Sequence, residues 1–339
     1  GVAGFAALLL AASSDIMLGL IAVGGFAAAV LTDSSLFGLV AGALAGMALA
    51  AIPAFLKIIW LYTLSFVPAA IGLYLYLPKP TGLGLLNMWI AMPLIVASTL
   101  LVLKLTAFGT MKEAITKQFA IFSNKHTWSL TLLYIVTFGS FIGFSMALPL
   151  AITVIFGISH VPDAAGVMQH TLKNPNAPSA LTFAWIGPFV GALIRPVGGW
   201  VSDKVGGSIV TQVISAVMVL ASAAVGYVML LAYKSAAPEQ YFLLFMVLFV
   251  VLFAASGIGN GSPFRTIGVI FDRQQAGPVL GWTSAIAAYG AFIAPVVIGA
   301  QIKAGTPENA MYGFAIFYAL CLVLNWWFYL RRGAEIKNP

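Results

Sequence analysis

Charge is what this chain has least of. Asp, Glu, Lys and Arg together make up 7% of its 339 residues, against about 25% in a soluble domain. Mean hydropathy is +1.03. The apolar runs recur along the whole length and are continuous. They do not alternate residue by residue, which excludes a β-barrel and leaves a polytopic helical bundle. Cysteine is nearly missing too. The single Cys321 lies in the last apolar run, so an internal disulfide and a multi-cysteine metal site are excluded. The three histidines, His126, His160 and His170, fall in loop positions without metal-ligand spacing. No cofactor is expected. The net charge of +7 does not point to nucleic acid, because the basic residues sit singly in short loops with no clustered face. No basic segment precedes a cleavage site, so a signal peptide is not expected. Residue 1 is Gly, in mid-hydrophobic sequence, and the start is read as a truncation or fragment edge.

What is present is a series of membrane-length segments. A span needs about 20 apolar residues. The clear ones are 84–103, 127–158, 178–202, 207–233, 241–263, 277–302 and 310–330. Before residue 80 a stub at 2–13 precedes less sharply bounded spans at 16–32, 36–55 and 58–78. The expected organisation is a partial N-terminal bundle over 1–103 and a cytoplasmic central loop over 104–126. A six-helix C-terminal bundle over 127–332 and a cytoplasmic tail over 333–339 follow. Part of the central loop, 106–119, has the pattern of a short amphipathic helix, and 159–177 reads as an outer loop, a plain connector rather than the alternative of a binding lid. If loop 104–126 is inside, then Lys104, Lys112, Lys117, Lys125, Lys204, Arg273, Arg331, Arg332 and Lys337 all fall inside. Only Lys173, Lys234 and Lys303 then fall outside. By the positive-inside bias the C-terminus is cytoplasmic, as expected for a bacterial-type inner (plasma) membrane protein in a lipid bilayer.

One residue breaks the apolar pattern. Arg195 lies in Trp185-Ile-Gly-Pro-Phe-Val-Gly-Ala-Leu-Ile-Arg195-Pro-Val-Gly-Gly-Trp200. A guanidinium at bilayer depth costs roughly 2.5–3.5 kcal/mol on insertion scales. Asp203 marks the end of the span, eight residues on, which puts Arg195 about 12 Å deeper, too deep to snorkel easily. It cannot lose its proton. It therefore suits an anion, and its planar fork suits a planar, multi-oxygen one. The alternative is an arginine neutralised within the bundle.

Other segments add weaker signals. Tyr134, Phe138, Phe141 and Ser145 recur on one helical face, either as ordinary packing or as the wall of a cavity. Ser256-Gly257-Ile-Gly259-Asn260-Gly261-Ser262-Pro263-Phe264-Arg265 offers glycines for bending and close packing, and its Arg265 is either a second cavity cation or a residue snorkelling to the interface. Gly281 and Ser284 supply a small residue and a hydroxyl on another span. Asp203 closes a Gly-rich turn that is either a gate or an ordinary solvated turn. Within the clear spans there is no Asp, Glu or His, which a proton relay would need. Exchange, or a different coupling ion, fits better. No nucleophile–base pair is visible in the spans, so an enzyme is not expected.

Four strings together resemble the nitrate/nitrite porter (NarK-type) family of the major facilitator superfamily: Ile121–Trp128, Thr137–Ser145, Gly187–Gly199 and Gly257–Ser262. The resemblance covers roughly residues 84–335. It implies an all-α membrane protein, a bundle of two six-helix halves with one central anion site between them. It also implies transport of nitrate and nitrite by alternating access. By position, Arg195 is similar to the family's C-terminal substrate arginine. Tyr134 and Phe138 resemble its site tyrosine and stacking aromatic, and Gly281 and Ser284 resemble its pathway Gly and Ser. Gly257, Gly259, Asn260, Gly261 and Asp203 fall to bending and gating. The family's second arginine and its Gly-rich segment with Asn have no counterpart before residue 80, so the chain is expected to hold the N-terminal half only in part. Arg265 stands where the family pattern is often uncharged. The alternatives are a carrier of another small anion and a truncated, non-transporting membrane remnant.

Overall fold

The computed structural model describes residues 59–60, 63–107 and 109–339. The expected spans at 2–13, 16–32 and 36–55 lie outside these residues. The chain divides into two compact units, residues 1–117 and 118–339.

In the first unit an apolar helix α1 (Thr63–Tyr76) precedes α2 (Met88–Thr106). The Asn87 side chain accepts from the Ile90 amide and so caps α2. A short helix α3 (Gly109–Phe119) occupies the stretch whose pattern predicts an amphipathic one.

The second unit is a helical bundle. Its helices are α4 (Lys125–Phe156), α5 (Ala180–Val205), α6 (Gly207–Tyr233), α7 (Pro238–Ile270), α8 (Arg273–Lys303) and α9 (Glu308–Leu330). With α2, seven helices among the described residues are long and apolar enough to cross a membrane. The protein is an all-α integral membrane protein by this architecture. Side chains start two of the helices. Asn124 accepts from the His126 amide ahead of α4, and Asp272 accepts from the Gln274 and Gln275 amides ahead of α8.

Packing follows residue size. α5 lies along α7 on a seam of glycines: a Cβ at Gly257 would run into the Gly191 backbone, and one at Gly261 into that of Gly199. α8 crosses α4 in the same way, Gly290 against Gly139 and Gly143. Apolar side chains gain little from each other in lipid, so close backbone approach is what such seams contribute. The core is aromatic. Phe245, Phe249 and Phe253 recur every fourth residue of α7 and are fully buried. Phe144 of α4 meets Phe249 edge-on at 5.6 Å, and Phe141 meets Phe253 at 5.7 Å.

The two ends of the bundle differ. At one end the segment expected as a plain connector is a β-hairpin, β1 (Ile158–Pro162) and β2 (Met168–Lys173). It pairs antiparallel with a bulge between Ser159 and Val161. Asp163 makes the turn, its Oδ1 accepting from the Ala165 and Val167 amides at 2.9 Å each. His160 is buried in the hairpin's base. It contacts His170 Nδ1–Nδ1 at 2.7 Å and the Ile155 carbonyl at 2.8 Å, and both rings lie against Tyr233. Asn174 then ties the hairpin to the start of α7, donating to Glu239 at 2.8 Å.

At the opposite end Gly206 turns the chain from α5 to α6 with φ 101°, a conformation that favours glycine. Residues 331–339 fold back over this turn. Asn338 donates to the Val205 carbonyl at 2.8 Å and accepts from the Ile209 amide at 3.2 Å, while its own amide donates to the Tyr329 carbonyl at 2.9 Å. Lys125 and Glu335 form an ion pair beside it.

Candidate anion-binding site

Arg195 sits mid-way along α5 on the face of the glycine seam, four residues after Gly191 and three before Gly198. The seam brings α7 and α4 close enough to surround it. A Cβ at Gly191 would stand 2.7 Å from the Phe141 ring and 2.7 Å from the Phe253 carbonyl. The guanidinium carbon lies 4.2 Å from the centroid of Phe141 and 5.9 Å from that of Phe138. Such cation–π contacts contribute about 0.5–2 kcal/mol each. On the α7 side stands the buried Asn260. A guanidinium offers only donors, so the carboxamide must present its oxygen. In that orientation the oxygen accepts from Arg195 Nε at 3.2 Å and Nη2 at 3.1 Å. Arg195 takes part in none of the ion pairs formed among the described residues.

α4 contributes the rest of the wall. A wide, i→i+5 turn spans Ile135–Gly139. Single turns of this kind occur inside helices and are frequent at functional sites. It carries Phe138 beside Tyr134, the rings stacked at 5.1 Å and 9° apart. Phe264 of α7 packs on Tyr134 edge-on at 5.9 Å. The Ser284 side chain of α8 lies beside the Tyr134 hydroxyl, and Tyr134 and Arg195 are within electrostatic reach of each other. Gly281, one turn before Ser284, faces open space: a Cβ there would meet nothing within 4 Å. Arg195, Tyr134, Phe138, Ser284 and Asn260 are thus one cluster drawn from four helices, with Phe141 added to it.

Other residues singled out in the sequence lie elsewhere. The Ser145 hydroxyl is spent on its own helix, donating to the Phe141 carbonyl at 2.7 Å. Gly257 and Gly261 are close-approach positions against α5, and Gly259 is one against Thr137 and Ile214. Arg265 reaches the end of α5, donating from Nη1 to the Ser202 carbonyl at 2.7 Å, with Nε 4.0 Å from the exposed Asp203 carboxylate. Among the described residues no three or more His, Cys, Asp or Glu side chains could hold a metal ion together.

No family model matches this chain. It is 41% identical, over 65% of its length, to a protein of Thermus thermophilus named as a probable nitrate/nitrite antiporter NarK2, of which it covers 45%. It is 34% identical, over 75% of its length, to the nitrate/nitrite transporter NarU of Salmonella typhimurium, covering 56% of it. A nitrite extrusion protein of Bacillus subtilis is 28% identical over 62% of the chain. The first two relatives are named for nitrate and nitrite together, the third for nitrite. The chain spans about half the length of these relatives.

The sequence alone did not reveal the Asn260–Arg195 contact. It marks Asn260 as a polar residue in an apolar span, but the two are far apart in the chain, and only the packing of α5 on α7 joins them. The wide turn at Ile135–Gly139 carries no sequence signature.

Proposed function

We propose that this chain is a nitrate/nitrite porter of the major facilitator superfamily, working by alternating access, with Arg195 binding the planar anion. The observation that carries this reading is a guanidinium held in the middle of a membrane-length helix by an aromatic ring and a neutral amide, with no carboxylate paired to it among the described residues. An anion at 4 Å gains about 4 kcal/mol at an effective dielectric near 20, enough to offset much of its desolvation. Phe138 stacks on the face of the anion, and Tyr134, oriented by Ser284, donates to one oxygen. Gly281 leaves room beside them. Gly257, Gly259, Asn260 and Gly261, with Asp203 at the end of α5, serve the conformational change. The bias of lysine and arginine among the loops supports a cytoplasmic C-terminus in an inner-membrane setting.

The test is nitrate binding to the purified chain in detergent, with chloride as the control. Wild type should gain thermal stability with nitrate. Arg195→Ala should lose the effect, and Arg195→Lys should lose most of it, because a point charge lacks the planar fork. Nitrate stabilisation equal in all three proteins refutes the assignment. The missing counterpart of the family's second arginine before residue 80 favours a second reading: a module that binds the anion without carrying it. Nitrate flux into proteoliposomes separates the two, since the module would bind and show no flux.

A further inference from the structure

We propose that Asn260 is a neutral positioning clamp for Arg195: it holds one edge of the guanidinium, leaves the charge intact, and so makes the anion dock on the other edge. The inference rests on the anion-site reading above and specifies its geometry.

A guanidinium has two edges that can take two acceptors side by side. One is the side edge, Nε–H with Nη2–H. The other is the end edge, Nη1–H with Nη2–H. The Asn260 oxygen occupies the side edge, at 3.2 Å from Nε and 3.1 Å from Nη2. Phe141 covers one face, 4.2 Å from the guanidinium carbon. Among the described residues no other hydrogen bond to the Arg195 fork is formed, so the end edge is what it offers to a ligand. Two in-plane oxygens of a planar anion match that edge. A halide gains only the charge.

The chemistry of the clamp matters as much as its position. The usual partner of a buried arginine is a carboxylate, and an arginine left unpaired in a low-dielectric site is costly. A carboxylate at position 260 would satisfy the side edge equally well, but it would also be a permanent counter-ion competing with any anion. The amide satisfies the donors and leaves the full positive charge for the ligand. Its own NH2 carries no charge to disturb the balance.

The experiment measures nitrate and chloride affinities of the full chain in detergent for wild type, Asn260→Ala, Asn260→Asp and Arg195→Ala, with melting temperatures alongside. Asn260→Asp keeps size and oxygen but adds a charge. It should cost nitrate affinity roughly a hundredfold while melting at or above wild type, because a salt bridge to Arg195 forms. Asn260→Ala keeps the charge but frees the fork. It should lose roughly tenfold in nitrate affinity, lose little chloride affinity, and so narrow the nitrate-over-chloride ratio. The order wild type, then Ala, then Asp supports the clamp, since a merely structural role would make the isosteric Asp the milder change. The reverse order, or an unchanged anion ratio in Asn260→Ala, overturns it. Should Asn260→Asp fail to fold, the Ala ratio decides alone. If wild type binds nitrate and Arg195→Ala does not, while both Asn260 variants bind as wild type, the clamp fails and the anion site stands. If wild type and Arg195→Ala are alike, both fail.

Discussion

A single methyl group on the α5–α7 seam tests whether this packing sets the site. In Gly191→Ala the new Cβ would stand 2.7 Å from both the Phe141 ring and the Phe253 carbonyl. The ring can swing, but the carbonyl belongs to the backbone of α7, so the helices must part. Overpacking of this kind costs typically about 1–3 kcal/mol, less the part of about 1 kcal/mol that Ala regains over Gly in a helix. The net loss should lower the melting temperature by a few degrees, at roughly 2–4 °C per kcal/mol for a unit of this size. The matched control is Gly313→Ala in α9, where a Cβ meets nothing within 4 Å and only the helical gain remains. It should melt at or slightly above wild type. The functional readout is nitrate-induced stabilisation. Arg195 lies one turn from Gly191, so parting the helices lengthens its contacts with Asn260 and Phe141, and nitrate stabilisation should shrink in Gly191→Ala but not in Gly313→Ala. Equal melting temperatures and equal nitrate responses in the two variants would refute the claim that this close approach builds the site.

Further predictions concern the ends of the bundle. Arg265→Gln removes the charged donor to the Ser202 carbonyl at 2.7 Å and should cost about 1.5–3 kcal/mol in thermal or chemical unfolding. Asp203→Asn should cost under about 1 kcal/mol, because that carboxylate is exposed and 4.0 Å from Arg265. An equal loss in both would mean that the ion pair, not the carbonyl contact, ties α7 to α5. At the hairpin, burial, foremost, and the neighbouring His170 hold the His160 imidazole below its ordinary value of 6.5, despite its contact with the Ile155 carbonyl. The unfolded chain then binds more protons than the folded one as pH falls. This contribution is complete above about pH 6.5 and is lost as pH drops through the folded value. His160→Gln should flatten that slope in melting temperature between pH 7.5 and 5, and an unchanged slope would refute the assignment.

The sequence makes the later spans plain because continuous apolar runs need no partner to be recognised. The run at 127–158 becomes α4, Lys125–Phe156, and 207–233 becomes α6, Gly207–Tyr233. The hairpin escapes such reading. β1 contains Pro162, β2 contains His170, Thr171 and Lys173, and neither shows a clean alternation. Only Asp163 and Gly166 hint at the turn that their hydrogen bonds close. The site was half legible. Arg195 stands out by its cost in a membrane, and Tyr134 and Phe138 by their spacing. Their partners, Asn260, Phe141 and Ser284, were visible as residue types, but their pairing depends on helices distant in sequence. Arg265 shows the same limit, since its carbonyl partner on α5 has no side-chain signature at all.

The Asn338 contacts bear on the order in which this unit can be completed during synthesis. The turn at Gly206 is made early, yet the amide of Ile209 waits for an acceptor 129 residues further along the chain, and the Val205 carbonyl for a donor 133 residues on. Until Asn338 clears the ribosome, both helix ends at this turn must be satisfied by water. A nascent chain stalled after α9 but before Asn338 should therefore expose this turn to proteases that it resists once residue 338 is in place.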